Sequence, residues 1–169
     1  MKYILNFNII LLILVLPSRV NDNEEFINIK EVSPWCILGF DSLDRTPEQR
    51  IALIQELGLQ KYGFNKGKGD LSTMVEEFKL AHENNVEITS VFLWLNAKRD
   101  RVGKLSSSNQ ELLRNLNQVE QKPTIWLSFS NNFFEGIDHN ESIKLSVKMI
   151  QFIKLEADKL GCKLALYNH

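Results

Sequence analysis

The sequence predicts a parallel α/β fold of the (β/α)8-barrel type, truncated after its fifth strand. Five apolar runs start near residues 35, 62, 88, 124 and 163, about 26 to 39 residues apart, and each interval holds one amphipathic helix. The first run, "WCILGF", is almost continuously apolar, as expected of a parallel strand that is covered on both faces. The last run, "KLALYNH", has no helix after it.

A five-stranded doubly wound sheet is the alternative fold, since it is complete in a chain of about this length. Such a domain normally closes with a helix, and without one the fifth strand exposes both an edge and an apolar face. A complete barrel needs about 250 residues, whereas this chain has 169. We therefore expect an N-terminal fragment of a barrel, without a full catalytic set.

Local signals define the first two helices. Thr46 is a good N-cap, Pro47 suits the first helical position, Gln49 completes a capping box and Gly58 is a natural stop. A short strand is expected at 61–65. The apolar face of the second helix has positions at Leu71, Met74 or Val75, Phe78 and Ala81.

The second half of the chain repeats this alternation. Strands are expected at 87–96 and 124–130, and a capping box that begins at Ser108 predicts the third helix. Asp138 begins the fourth helix and Gly161 ends it. The predicted apolar stripe of that helix consists of Ile143, Val147, Ile150, Ala157 and Leu160.

The N-terminus has the layout of a secretory signal peptide. Lys2 precedes an apolar run at 9–16, within a segment that we assign to residues 1–20. An uncleaved anchor is the alternative, but the run is shorter than the about 20 residues that span a bilayer. A polar lead-in (21–33) and the partial barrel (34–169) follow. We expect an exported protein without stable membrane insertion after cleavage.

Composition narrows the class of partner. With 44% hydrophobic and 24% charged residues, the chain has the composition of a globular domain. Its formal charge is −1, and removal of residues 1–20 with Lys2 and Arg19 leaves 18 basic and 21 acidic residues, or −3. This acidity disfavours nucleic acid as a partner. Cys36 and Cys162 lie in or beside apolar strands, so we expect two buried free thiols.

The segments "WCILGFDSL…TPEQRIALIQELGLQKYGF" and "LALYNH" resemble the xylose isomerase-like TIM barrels, a family of sugar phosphate isomerases and epimerases, and in particular their exported bacterial subgroup. The resemblance covers residues 34–169. It implies a sugar or polyol substrate and a divalent metal at the C-terminal mouth of the barrel, where the metal polarises a carbonyl and hydroxyl pair during proton transfer.

Many members of that family carry Glu-Asn-His at the end of strand five, with the Glu as a metal ligand. This chain has Tyr167, Asn168 and His169 there. A phenol stays protonated near neutral pH and is a poor ligand for a hard divalent ion. The resemblance therefore extends to Asn168 and His169 and leaves the metal ligands unknown.

Strand alternation gives an independent prediction for the same residues. Ala165, Tyr167 and His169 share one face, which we assign to the barrel interior, because the leucines between them suit the helix layer. His169 is the catalytic candidate, with a purely terminal residue as the alternative. The substrate-binding candidates are Asp41, Asn65, Trp94, Asn96, Ser128, Ser130, Tyr167 and Asn168.

Each candidate also has a structural interpretation. Trp94 is either a core residue or a platform for a sugar ring, and Ser128 and Ser130 either fill space or bind a sugar hydroxyl. Asp41 either orients the substrate or shapes the turn after strand one. The basic segment 98–101 is expected to be a solvated loop.

Two other functions remain open on the sequence. A carbohydrate-binding barrel without catalysis is favoured by Tyr167, which replaces the expected Glu. A phosphodiester-cleaving enzyme of the related endonuclease branch is disfavoured by export, by acidity and by the scarcity of histidines at the mouth.

Overall fold

A computed structural model describes residues 27–35, 43–65 and 71–167. In this part of the chain a parallel sheet contains β1 (Lys61–Phe64), β2 (Glu87–Leu95), β3 (Thr124–Phe129) and β4 (Leu164–Leu166). The helices are α1 (Pro47–Glu56), α2 (Met74–Glu83), α3 (Ser107–Gln118) and α4 (His139–Lys159), with a 3₁₀ turn at Ile29–Glu31. Most of the strand expected at 35–40 lies outside the described residues.

The strands are hydrogen-bonded in sequence order, β1-β2-β3-β4, and all three pairings are parallel. The predicted α/β class with a parallel sheet is thus confirmed. The described strands form one four-stranded sheet, and closure into an eight-stranded barrel is not seen in them.

One hydrophobic core joins all four helices to a single face of the sheet. From the sheet it includes Ile88, Val91, Ile125 and Leu127, each at most 1% exposed. The helices contribute Ile51 and Ile54, Met74, Phe78 and Ala81, Leu112 and Leu116, and Met149, Ile153 and Ala157. The opposite face of the sheet therefore has a separate environment.

An irregularity near the start of β2 decides which side chains reach each face. Tyr62 of β1 pairs with Ile88, but the next residue, Gly63, pairs with Ser90. Thr89 is thus an extra residue, as in a β-bulge. The shift lets both Ile88 and Val91 face the helices and leaves Ser90 on the other face.

Helix capping agrees with the sequence at four ends. Thr46 and Gln49 form both hydrogen bonds of a capping box, at 3.4 and 3.0 Å. Gly58 follows α1 with a φ of 71°, the left-handed conformation that favours glycine. Asp138 caps α4 by accepting from the Glu141 N–H, and Gly161 follows that helix with a φ of 72°.

The predicted cap at Ser108 was wrong. Ser106 is the N-cap of α3, and its hydroxyl accepts from the Asn109 N–H at 3.4 Å. The helix begins earlier because Ser106 has extended backbone angles and Asn109 turns its side chain inward, toward the end of β2. This start places Leu112 and Leu116 in the core.

The predicted stripe on α4 was only partly right. Ala157 is buried, but Ile143 and Val147 are 49% and 46% exposed, whereas Met149 and Ile153 are fully buried. Leu145 also packs against the core. The buried stripe therefore follows the helical period through Leu145, Met149, Ile153 and Ala157, and Ile143 and Val147 lie on another face of α4.

Two smaller findings concern the thiols and the helices. Cys162 is free and buried as expected, while Cys36 lies outside the described residues. Burial raises the pKa of the Cys162 thiol, against a smaller opposite effect of Lys122. In the described segments, no helix is both long enough and apolar enough to cross a lipid bilayer.

Candidate functional site

Four aromatic side chains form a cluster on the sheet face that is turned away from the helices. Phe92 lies at its centre, with ring centroids 5.7 Å from Trp35, 5.2 Å from Trp126 and 5.5 Å from Tyr167. Tyr167 also stacks on Trp126 at 5.4 Å. These four residues are called the aromatic cluster below.

The contact between Trp35 and Tyr167 shows that this face is concave. Trp35 follows Pro34, whose carbonyl accepts from the Gly63 N–H at the outer edge of β1, while Tyr167 follows β4 at the other edge. Four strand spacings would separate them by about 19 Å in a flat sheet. Their ring centroids are only 5.8 Å apart, so the sheet curves around the cluster.

Above the cluster, toward the carboxyl ends of the strands, Trp94 and Ser128 lie side by side. They are direct partners in the register of β2 and β3. Trp94 is 41% exposed, although it is one of the largest apolar side chains of the sheet. Ser128 is 5% exposed, and none of the described residues hydrogen-bonds to its hydroxyl. A buried hydroxyl normally has a partner, so this pair marks a candidate binding position.

Other predicted site residues lie at the same edge of the sheet. The Asn96 Oδ1 accepts from the Lys98 N–H at 3.0 Å, and the Ser130 hydroxyl donates to the Asn132 Oδ1 at 2.8 Å. Asn65 is half-buried directly after β1. These side chains shape the ends of the strands and add polar groups around Trp94.

Three of the predicted site residues, Asp41, Asn168 and His169, lie outside the described residues. The structure therefore brings together Trp94 and Ser128, with Tyr167 beneath them in the aromatic cluster. The assignment of Trp126 and Ser128 to the face opposite Ile125 and Leu127 agrees with the observed alternation.

A buried polar network below the rim is a feature that the sequence analysis missed. Asp100 is 3% exposed and accepts from the N–H groups of Asn96 and Ser106, at 2.8 and 2.7 Å. The side-chain amide of Asn109 donates to Asp100 Oδ1 at 3.1 Å and to the Trp94 carbonyl at 2.8 Å. One acid within an otherwise basic loop was the only signal for it. This network holds the loop after β2 in place next to Trp94.

A second network lies within the helix layer. Glu77, which is 2% exposed, accepts from the Tyr62 hydroxyl at 2.7 Å and from the Arg50 Nε at 2.9 Å. Burial raises the pKa of Tyr62 well above its usual value, and the nearby Glu77 carboxylate raises it further. Because it is packed between β1, α1 and α2, this group supports the fold and does not reach the rim.

The sequence resemblance also implies a divalent metal at the mouth of the barrel. No three His, Cys, Asp or Glu side chains among them are grouped so that they could hold an ion. Tyr167, where the resemblance would place a ligand, packs its ring against Trp126 and Phe92. The metal therefore stays a prediction from the resemblance, and we derive no metal-dependent step.

Taken together, the fold and the site define a parallel α/β protein with an aromatic-lined concave sheet face. No protein-family model, no curated protein sequence and no solved structure matches the chain.

Proposed function

We propose that this protein binds a carbohydrate or polyol at the carboxyl edge of the concave sheet face. The observation that carries the proposal is the pairing of the exposed indole of Trp94 with the buried hydroxyl of Ser128, to which no described residue hydrogen-bonds. A sugar presents both an apolar C–H face and hydroxyl groups. The indole of Trp94 suits contact with the apolar C–H face, and the hydroxyl of Ser128 suits a hydrogen bond to a sugar hydroxyl.

The aromatic cluster supports the same proposal. Trp126 and Tyr167 stack on each other on the concave face, so their rings provide an apolar floor for a ligand at Trp94. Binding pockets for small molecules are typically apolar with a few polar groups that set orientation. Asn96 and Ser130 each come two residues after one member of the Trp94–Ser128 pair and add polar groups at the carboxyl ends of β2 and β3.

We propose that the fold is a partial barrel of the (β/α)8 type. Three observations support it: the strands pair in sequence order, the helices pack on one face of the sheet, and the contact of Trp35 with Tyr167 indicates curvature. A doubly wound sheet, in contrast, has helices on both faces. The carboxyl edge, where the proposed ligand lies, is also where barrel enzymes place their sites.

An isomerase or epimerase acting on the same ligand is the second candidate. The resemblance of "LALYNH" to the family's fifth-strand motif supports it, with His169 as the group that transfers a proton. The stacked position of Tyr167 favours simple binding instead, because its ring is engaged in packing. We also propose that the protein is exported, so that its ligand is a sugar outside the cytoplasm.

The proposal is tested by calorimetric titration of the full chain with xylose, a linear polyol and a neutral oligosaccharide. We expect at least one of these probes to bind with a Kd near or below about 1 mM. Trp94→Ala should weaken binding at least about tenfold, and Trp94→Phe should recover part of the affinity. Ser128→Ala should weaken binding about two- to tenfold without loss of stability, since no protein hydrogen bond is removed.

Ile143→Ala is the matched control, because it truncates a similarly exposed apolar side chain on α4. It should leave the affinity unchanged. Binding of none of the three probes, or equal binding by wild type and Trp94→Ala, would overturn the proposal. Conversion of a bound sugar, observed by NMR and lost in His169→Ala, would establish the second candidate.

A further inference from the structure

The loop between β2 and α3 concentrates exposed positive charge beside the proposed ligand position. Lys98, Arg99, Arg101 and Lys104 lie within seven residues, and all four are exposed. None of them forms an ion pair with any described residue. Some other cations of the described residues are paired, such as Arg50 with Glu77 and Lys61 with Glu31. Residues 97–104 are called the cationic loop below.

The single acid of this loop does not neutralise it at the surface. Asp100 is buried and accepts hydrogen bonds from Asn96, Ser106 and Asn109, so its carboxylate is directed into the protein. The same Asn109 amide bonds to the Trp94 carbonyl. The network therefore anchors the cationic loop rigidly at the edge where Trp94 is exposed.

The tip of the loop holds two cations directly opposite each other. Arg101 and Lys104 exchange backbone hydrogen bonds at 2.8 and 2.9 Å across a turn, with Gly103 at a φ of 81°. Side chains that face each other in such a pair have Cβ atoms about 5 Å apart, and like charges there are destabilising. An anionic group between the two would remove this repulsion.

We propose that the cationic loop binds acidic groups, sulfate or carboxylate, of a carbohydrate chain that also contacts Trp94. This inference rests on the proposed function and specifies its ligand class. Arg101 and Lys104 face each other at the tip of the loop, and Lys98 and Arg99 precede them in the chain, which suits a ligand with more than one acidic group. The formal charge of the whole chain is −1, so the attraction is local to this loop.

The test compares a sulfated oligosaccharide with a neutral one of equal length, titrated against the full chain. At an ionic strength of about 0.1 M the sulfated ligand should bind at least about tenfold more tightly than the neutral one. This difference in affinity should shrink at about 1 M salt, because the Debye length falls from about 10 to about 3 Å. The double variant Arg101→Gln/Lys104→Gln should lose about tenfold in affinity for the sulfated ligand and none for the neutral one.

Lys144→Gln/Lys148→Gln is the matched control, since it removes two exposed like charges from α4 with the same change in net charge. Equal effects of the two double variants would overturn the inference, as would a charge-matched single-stranded oligonucleotide that binds as tightly and does not depend on Trp94. If both oligosaccharides bind equally, the proposed function stands and the role of the loop is wrong. If neither binds, the proposed function itself is wrong.

Discussion

The ring of Tyr167 stacks on the indole of Trp126, with centroids 5.4 Å apart and planes at 21°. The Tyr167 N–H also donates to the Leu127 carbonyl at 2.9 Å, so backbone and side chain both join the end of β4 to β3. The side chain for which the sequence resemblance implied a metal-ligand position thus makes an aromatic packing contact. That contact links the architecture of the sheet to the floor of the proposed site.

The first prediction concerns this stack. Tyr167→Ala should lower the free energy of unfolding by about 2–3 kcal/mol, since the ring is only partly buried and truncation of a fully buried aromatic costs about 3–5 kcal/mol. Tyr167→Phe should keep most of the stability. A double-mutant cycle with Trp126→Ala, measured by urea unfolding, should give a coupling of about 0.5–1.5 kcal/mol. Additive effects would show that the rings do not stabilise each other.

The second prediction concerns the buried carboxylate of Glu77. Glu77→Ala removes the acceptor of the Tyr62 hydroxyl and the carboxylate that pairs with Arg50, which keeps its hydrogen bond to the Arg45 carbonyl. The free energy of unfolding should fall by about 3 kcal/mol. Glu83→Ala is the control, because Glu83 pairs with Lys79 at 3.8 Å on an exposed helix surface. The control should change stability by less than about 1 kcal/mol. Similar losses in both variants, measured by urea unfolding, would contradict the role assigned to burial.

The third prediction is a loss of stability at alkaline pH. The pKa of Tyr62 is raised in the folded state. Above about pH 10 the Tyr62 hydroxyl therefore loses its proton in the unfolded chain but keeps it in the folded chain. Stability from this group is fully present below that pH and is lost as the pH rises further. Tyr62→Phe should be less stable at neutral pH but flatter in its alkaline dependence. A parallel pH dependence of the urea midpoint in both proteins would contradict this assignment.

The fourth prediction concerns the anchor of the loop after β2. Asp100→Asn replaces one accepting oxygen by an NH₂ group that faces an N–H donor, and should destabilise the protein by about 1–3 kcal/mol. It should also speed amide hydrogen exchange in the loop. Asp138→Asn is the matched control, because Asn caps a helix as well as Asp does. Equal thermal shifts in the two variants would argue against a special role for Asp100.

Several local features of this fold follow directly from the sequence. The capping box of Thr46 and Gln49, the stop at Gly58 and the strands that begin near Lys61, Glu87 and Thr124 each depend on residues that are neighbours in the chain. The alternation of Trp126 and Ser128 with Ile125 and Leu127 depends only on the period of a strand. The parallel arrangement followed from one helix between each pair of strands.

Other features depend on contacts between distant residues. The sequence contains Trp35 and Tyr167 but not the curvature that brings their rings to 5.8 Å. The N-cap of α3 at Ser106 instead of Ser108 reflects the inward turn of Asn109 toward Asp100 and Trp94. Similar capping signals two residues apart cannot be ranked without that tertiary contact.

The sequence by itself determined the order of strands and helices, most of their ends and which strand residues share a face, because these depend on local backbone geometry and hydrophobic periodicity. Only the tertiary structure decided that Tyr167 is a packing residue, that Trp94 remains exposed and that the charge of Asp100 is buried while its basic neighbours are not. The physical reason is that burial and pairing depend on which parts of the chain meet, and a curved sheet brings together residues more than 130 positions apart, as it does for Trp35 and Tyr167.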